Sequence, residues 1–153
     1  MLARVFSASV NGIQACPVEV EVNSDYGDFK VVIVGLPDAA VRESQDRVLT
    51  ALTNSGYRAP MGRTTINLAP ADVRKEGPSF DLPIALGMLA ASEQIVSDQL
   101  DNFVLVGELA LTGAVRPCRG VLPIAIQAKR EGMIGVLVPK DNAPEAAVVE
   151  GLQ

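Results

Sequence analysis

No histidine and no tryptophan occurs among the 153 residues of this chain. The missing histidine removes a serine–histidine–aspartate triad and any histidine-ligated metal from the residues in hand. Without tryptophan, and with aromatics at only 4 %, the core must be built from Val, Ile, Leu and Ala. Cysteine is scarce too: Cys16 and Cys118 lie far apart and form no C-x-x-C pair. They read as small buried free thiols in a reducing cytosol rather than as a disulfide framework. No apolar run reaches the roughly 18 residues of a membrane span, and Met1-Leu2-Ala3-Arg4 has no signal-peptide layout. A cytoplasmic protein with no membrane partner is expected. Positive charge is short as well. A formal charge of −5 argues against an autonomous nucleic-acid binder, though not against a local basic patch. No G-x-x-x-x-G-K-[ST] run is present, so ATPase machinery of the P-loop kind lies outside these residues.

What is present reads as one domain of ordinary size. Residues 3–10 and 13–23 alternate like strands and meet at Asn11-Gly12, a strong hairpin signal. Val18, Val20 and Val22 mark the buried face of the second strand, and Pro17 predicts an edge or a bulge there. Residues 29–34 form a third, more buried strand. Pro37-Asp38 then opens a helix to about Asn54, its apolar stripe made by Ala40, Val41, Ser44, Val48, Leu49 and Leu52, with Arg42, Glu43, Asp46 and Arg47 toward water and Gly56 as C-cap. Residues 63–68 are a fourth strand, and residues 82–92 a central helix apolar nearly all round. Strands over 103–106 and after Thr112-Gly113, a helix over 121–131, a strand over 136–138 and a helix over 144–150 follow. The order βββαβαββαβα predicts an α+β fold, an α/β-like mixed sheet with helices packed on it.

The loop Arg74-Lys75-Glu76-Gly77-Pro78-Ser79 runs into that central helix through Phe80 and Asp81. A serine at a helix start can be a nucleophile, a cap or part of an anion site. A nucleophilic serine needs a base, which without histidine means a desolvated lysine. Lys30, Lys75, Lys129 and Lys140 all read as solvated. Either Ser79 or Asp81 is therefore expected to cap the helix, and Pro83 favours Asp81. The candidate anion or DNA contacts are Arg58, Arg63, Arg74, Lys75 and Ser79.

Three pieces, Lys75-Glu76-Gly77-Pro78-Ser79, Val106 through Val115 (V-G-E-L-A-L-T-G-A-V) and Val138-Pro139-Lys140-Asp141-Asn142, resemble in order the K-D-G-P-S, T-G-E-I-T-L-x-G-x-V and I-P-x-x-N motifs of the Lon protease domain. The resemblance puts Ser79 on the Lon nucleophile. The Lon base is a lysine nine residues beyond the second glycine of the middle motif, and that count from Gly113 ends at Leu122. Phe80-Asp81 also replace the small residues that follow the Lon serine. The resemblance thus implies a Lon-type fold without the Lon dyad.

Asn11-Gly12, the run Val34-Gly35-Leu36-Pro37-Asp38-Ala39-Ala40-Val41-Arg42-Glu43-Ser44 and the run Ile66 through Gly77 (I-N-L-A-P-A-D-V-R-K-E-G) resemble the N-terminal domain of the ComM/YifB, magnesium-chelatase-like family. There a Lon-like domain precedes an AAA+ module. The resemblance implies that residues 1–153 are one domain of a longer protein. It further implies a hexameric parent ATPase that uses ATP and Mg²⁺ and acts on DNA in branch migration linked to competence and recombination. This domain would serve assembly, regulation or DNA engagement beside its own AAA+ module. An unconventional serine peptidase using Ser79 and a standalone nucleic-acid-binding module are the alternatives. The Val34–Asp38 run reads as a turn or as a contact to the ring or a neighbouring subunit.

Overall fold

The computed structural model describes all 153 residues. Alternating valines drive the first hairpin, in which β1 (Leu2–Asn11) and β2 (Gln14–Asp25) pair antiparallel from Leu2 opposite Asn23 to Asn11 opposite Gln14. The turn is Gly12-Ile13, one residue beyond the expected Asn11-Gly12. Gly12 takes φ +67° while Ile13 stays out of the left-handed region, so glycine fills the first central position of the two-residue loop. The chain continues through β3 (Lys30–Val34), α1 (Ala39–Asn54), β4 (Arg63–Ala69), α2 (Asp81–Ala91), β5 (Phe103–Leu105), β6 (Glu108–Leu109), β7 (Val115–Arg116), α3 (Val121–Arg130), β8 (Gly135–Leu137) and α4 (Ala143–Ala146).

Six strands form one mixed sheet in the order β3-β4-β2-β1-β5-β8, while β6 and β7 make a separate small hairpin. The β1–β2 and β2–β4 pairs are antiparallel; β3–β4, β1–β5 and β5–β8 are parallel. The α+β reading with a mixed sheet therefore stands. Several details differ from expectation. The strand over 29–34, expected to be well buried, is the half-exposed edge strand β3. Pro17 lies in an interior strand, yet β4 pairs only with β2 from Glu19 onward. Pro17 thus sits on a stretch bonded on one side, where its missing N–H costs nothing. The strand β6 lies before the Thr112-Gly113 turn, where no strand is expected, and α4 covers four residues rather than seven. Cys16 is exposed, not a core thiol, and Cys118 is half-buried; both are free.

The sheet's two faces carry two cores. Val5, Val18, Val20, Val22, Ile66 and Leu68 meet Val41, Val48 and Leu52 of α1 and Ile84, Met88 and Leu89 of α2. Ala8 and Val104 point to the opposite face and meet Val121, Ile124, Ala125 and Ala128 of α3. Beyond α3 that second face is polar across β1, β2 and β4, with Arg4 paired to Glu19 at 3.6 Å and the Asn67 amide donating to Glu21 at 2.8 Å, and turns apolar again at Val32 and Val34 of β3. At the C-terminal end of α1 the Tyr57 amide donates to the Leu52 carbonyl and the Gly56 amide to that of Thr53, with Gly56 at φ +87°. This is the paired closure that a left-handed glycine allows. At the β8 edge the Gln153 backbone bonds Ile134 and Val136, so that edge is partly occupied.

Gly87 lets α2 lie close on the sheet, since a Cβ there would stand 2.7 Å from a Val22 methyl. Alanine would gain about 1 kcal/mol of helix propensity but overpack the core by about 1–3 kcal/mol. Gly87→Ala is therefore expected to lower stability in urea unfolding. A stabilised variant would mean that the helix–sheet spacing has slack.

Candidate functional site

Ser79 sits in a single 3₁₀ turn, Pro78–Phe80, that runs directly into α2. Its position is set by backbone on every side. The Gly107 amide donates to the Ser79 carbonyl at 2.9 Å, and the Leu82 amide donates to the Gly107 carbonyl at 3.0 Å. Upstream, Asp38 caps α1 through the Val41 amide at 2.8 Å, and its other oxygen accepts from the Gly77 amide at 3.1 Å. Gly77 adopts φ +83°, a conformation that glycine enters freely. The Pro37–Lys75 bridge, with the Lys75 amide on Leu36 and the Asp38 amide on Lys75, ties the Val34–Asp38 run to the same loop.

Neither Ser79 nor Asp81 caps α2, contrary to expectation: the residue before the helix is Phe80, and no side chain bonds the first amides. Asp81 instead turns inward, fully buried. Its oxygens accept from Ser44 Oγ at 2.5 Å, Arg47 Nε at 2.8 Å, Arg47 Nη2 at 3.1 Å and the Leu109 amide at 3.0 Å. Arg47, expected to face water, is therefore half of a buried ion pair that joins α1, α2 and β6. The paired carboxylate raises its already high pKa, chiefly through that hydrogen bond. The sequence signal for this contact was Ser44 and Arg47 one turn apart, with a carboxylate at the head of an apolar helix.

Ser79 opens on a cleft of about 670 Å³ lined by Ser9, Glu76, Ser79, Glu108, Cys118 and Arg119, together with the glycines of the hairpin and of the α3 start. Its hydroxyl makes no hydrogen bond to the protein. Gly120, immediately before α3, forms the facing wall. Leu122 lies in the first turn of that helix and is half-buried. No lysine lines the cleft. The one basic side chain there is Arg119. Lys75, expected to be solvated, is fully buried and donates its Nζ to the Pro70 carbonyl oxygen. Burial lowers its pKa, partly offset by the charge of Asp72.

The candidate anion contacts do not converge. Arg74 is exposed and pairs with Glu76 at 3.4 Å, and Lys75 is buried. Arg58 is bonded through its backbone to Gln94, beyond the far end of α2, and Arg63 begins β4 at the end of the sheet away from the Ser79 turn. Glu76 and Glu108 face the cleft that Ser79 opens on. A residue the sequence reading left without a role, Asn142, clamps the cleft's far loop: it accepts from the Cys118 amide at 3.0 Å and donates to the Cys118 carbonyl at 2.9 Å. Its place in the Val138-Pro139-Lys140-Asp141-Asn142 motif was the available signal. No helix is long and apolar enough to cross a membrane.

Residues 18–142 match the family described as "Subunit ChlI of Mg-chelatase". The chain is 46% identical to YifB of Escherichia coli over 98% of its length and 47% identical to the competence protein ComM of Haemophilus influenzae over 97% of its length. It spans 29% of the length of each of those relatives. Lon protease 2 of Bacillus subtilis is 34% identical over 65% of this chain and 17% of its own length.

Two outcomes follow from this geometry. Arg47→Ala would strand the Asp81 carboxylate in the core and is expected to cost about 3–5 kcal/mol in chemical unfolding; a loss under 1 kcal/mol would mean that water reaches Asp81. Burial first, then Glu145 and Glu108, pushes the Cys118 thiol up to about 11. The thiol is thus protonated at neutral pH, and its alkylation by iodoacetamide should lag that of exposed Cys16, then accelerate as pH climbs toward 11. Equal rates near neutrality, read by mass spectrometry of the two peptides, would contradict it.

Proposed function

The chain belongs to the magnesium-chelatase-like family that includes YifB and ComM, and from that premise we propose that it is a non-catalytic, Lon-like domain of an AAA+ ATPase. The parent protein is an ATP-dependent DNA branch-migration motor linked to competence and recombination, assembled as a hexamer. This domain serves its assembly, its regulation or its engagement of DNA. ATP and Mg²⁺ belong to the downstream AAA+ module, since residues 1–153 contain no G-x-x-x-x-G-K-[ST] loop to cradle phosphates. The protein works in the cytoplasm.

One observation carries the non-catalytic reading. The Ser79 hydroxyl faces a cleft with neither histidine nor lysine on its walls, and Lys75, four residues upstream, turns its amine to Pro70. A serine hydroxyl without a base is a poor nucleophile. One feature favours a residual peptidase: the hydroxyl is free of protein partners and accessible from the cleft. Peptide hydrolysis by the wild type and by Ser79→Ala decides between the two readings. No turnover above background is expected from either protein, and hydrolysis abolished by Ser79→Ala would establish the peptidase instead.

A further inference from the structure

The β3 edge of the sheet is fully open, while the β8 edge is partly occupied. At β8, Gln153 already bonds Ile134 and Val136, whereas β3 pairs with β4 alone. Backbone groups along a strand point alternately to its two sides. The Lys30 amide bonds the Gly62 carbonyl on the β4 side, so Lys30, Val32 and Val34 direct their N–H and C=O groups to β4. Val31 and Ile33 direct theirs outward. A shallow groove of about 380 Å³ follows this edge, lined by Val31, Val32, Ile33, Arg42 and Gln45. Tyr26, Phe29, Val34, Leu36 and Met61 are all exposed on the strand or on the segments flanking it. Proline is absent from the strand, and Lys30 is its one charge. An unprotected apolar edge of this kind is a template for another strand.

We propose that β3 pairs antiparallel with β3 of a second copy of this chain, about a two-fold axis through Val32, to form one continuous sheet. The edge is self-complementary in this register. Val31 of one copy lies opposite Ile33 of the other, so every outward N–H and C=O of both residues finds a partner, as a symmetric interface requires. Val32 meets Val32 of the second copy on the open face of the sheet. Val31 and Ile33 keep their side chains on the core side, where they already pack against the buried cluster. Charge is available for the contact: Arg42 in the groove has no carboxylate within ion-pair distance, and Asp46, one turn further along α1, is an exposed carboxylate without an ion-pair partner. A head-to-tail pairing of β3 onto β8 is disfavoured, because Gln153 already takes part of that edge. The pairing needs no ATPase ring and does not rest on the function proposed above.

Ile33→Pro makes a clean test, because the donor it removes points outward and the bonds to β4 survive. Sedimentation equilibrium of the 153-residue chain over a concentration series should show a monomer–dimer equilibrium. Ile33→Pro should raise its dissociation constant about 30-fold, with one donor lost from each copy. Circular dichroism and urea unfolding report whether the variant keeps its fold. Val32→Glu, on the exposed face at the axis, sets like charges against each other and serves if the proline variant does not fold; it should weaken dimerisation as well. A wild type that stays monomeric throughout the series overturns the proposal and leaves the edge to a different occupant. So does a dimer that folded Ile33→Pro or Val32→Glu leaves unchanged.

Discussion

A single carboxylate shut away from water sets the geometry of this domain. Removing a charge from water costs several kcal/mol, and Asp81 is compensated only because a hydroxyl, a guanidinium and a backbone amide converge on it from α1 and β6. The helix that carries it, α2, is apolar nearly all round. Hydrophobic burial is non-directional, so packing alone would leave the rotation of such a helix loosely defined. Hydrogen bonds to a fixed carboxylate are directional. Asp81 supplies the rotation, and α1, α2 and the small β6–β7 hairpin take their relative places from it.

The Ser79 turn hangs from that arrangement. One residue before Asp81 comes Phe80, buried in the main core, and one residue before that comes the serine, held at its carbonyl by Gly107. The loop that leads in is fastened by Asp38, a helix cap that also reaches Gly77. The far wall of the cleft is fastened by Asn142 on the Cys118 backbone. A well-defined cleft therefore persists with no proton acceptor of the lysine or histidine type on its walls. Likeness to Lon protease 2 extends to the fold; the residue counted to the position of the base is Leu122, an aliphatic side chain in the first turn of α3.

Period and punctuation made most of the fold legible. Alternating Val18, Val20 and Val22 gave β2 its buried face, Asp38 and Gly56 bracketed α1, and the uninterrupted apolar run marked α2. What escaped the sequence was anything decided by a partner distant in the chain. Residues 29–34 are rich in branched apolar side chains, which reads as burial, but edge or centre is settled by which strands pair alongside. Arg47 falls on the polar side of the α1 pattern, and only the approach of α2 turns it into a buried partner. Asp81 has the residue type and position of a cap, a local reading that a long-range ion pair overrides. Lys75 stands in a polar loop and is buried because that loop folds back over its own stem toward Pro70. The cleft's contributors, from the β1–β2 hairpin to the α3 start, lie more than a hundred residues apart, and motif order alone hinted that they meet.

Ser79 owes its location to its neighbours' main chain and nothing to its own side chain. Its hydroxyl is a passenger on a scaffold stabilised elsewhere, so the position can change chemistry without a folding penalty. A lineage built on such a frame can lose a catalytic group, or acquire one across the cleft, by single substitutions that leave the architecture intact. Scaffold and reactivity are separable here, since the frame that places Ser79 is held by groups other than the hydroxyl itself.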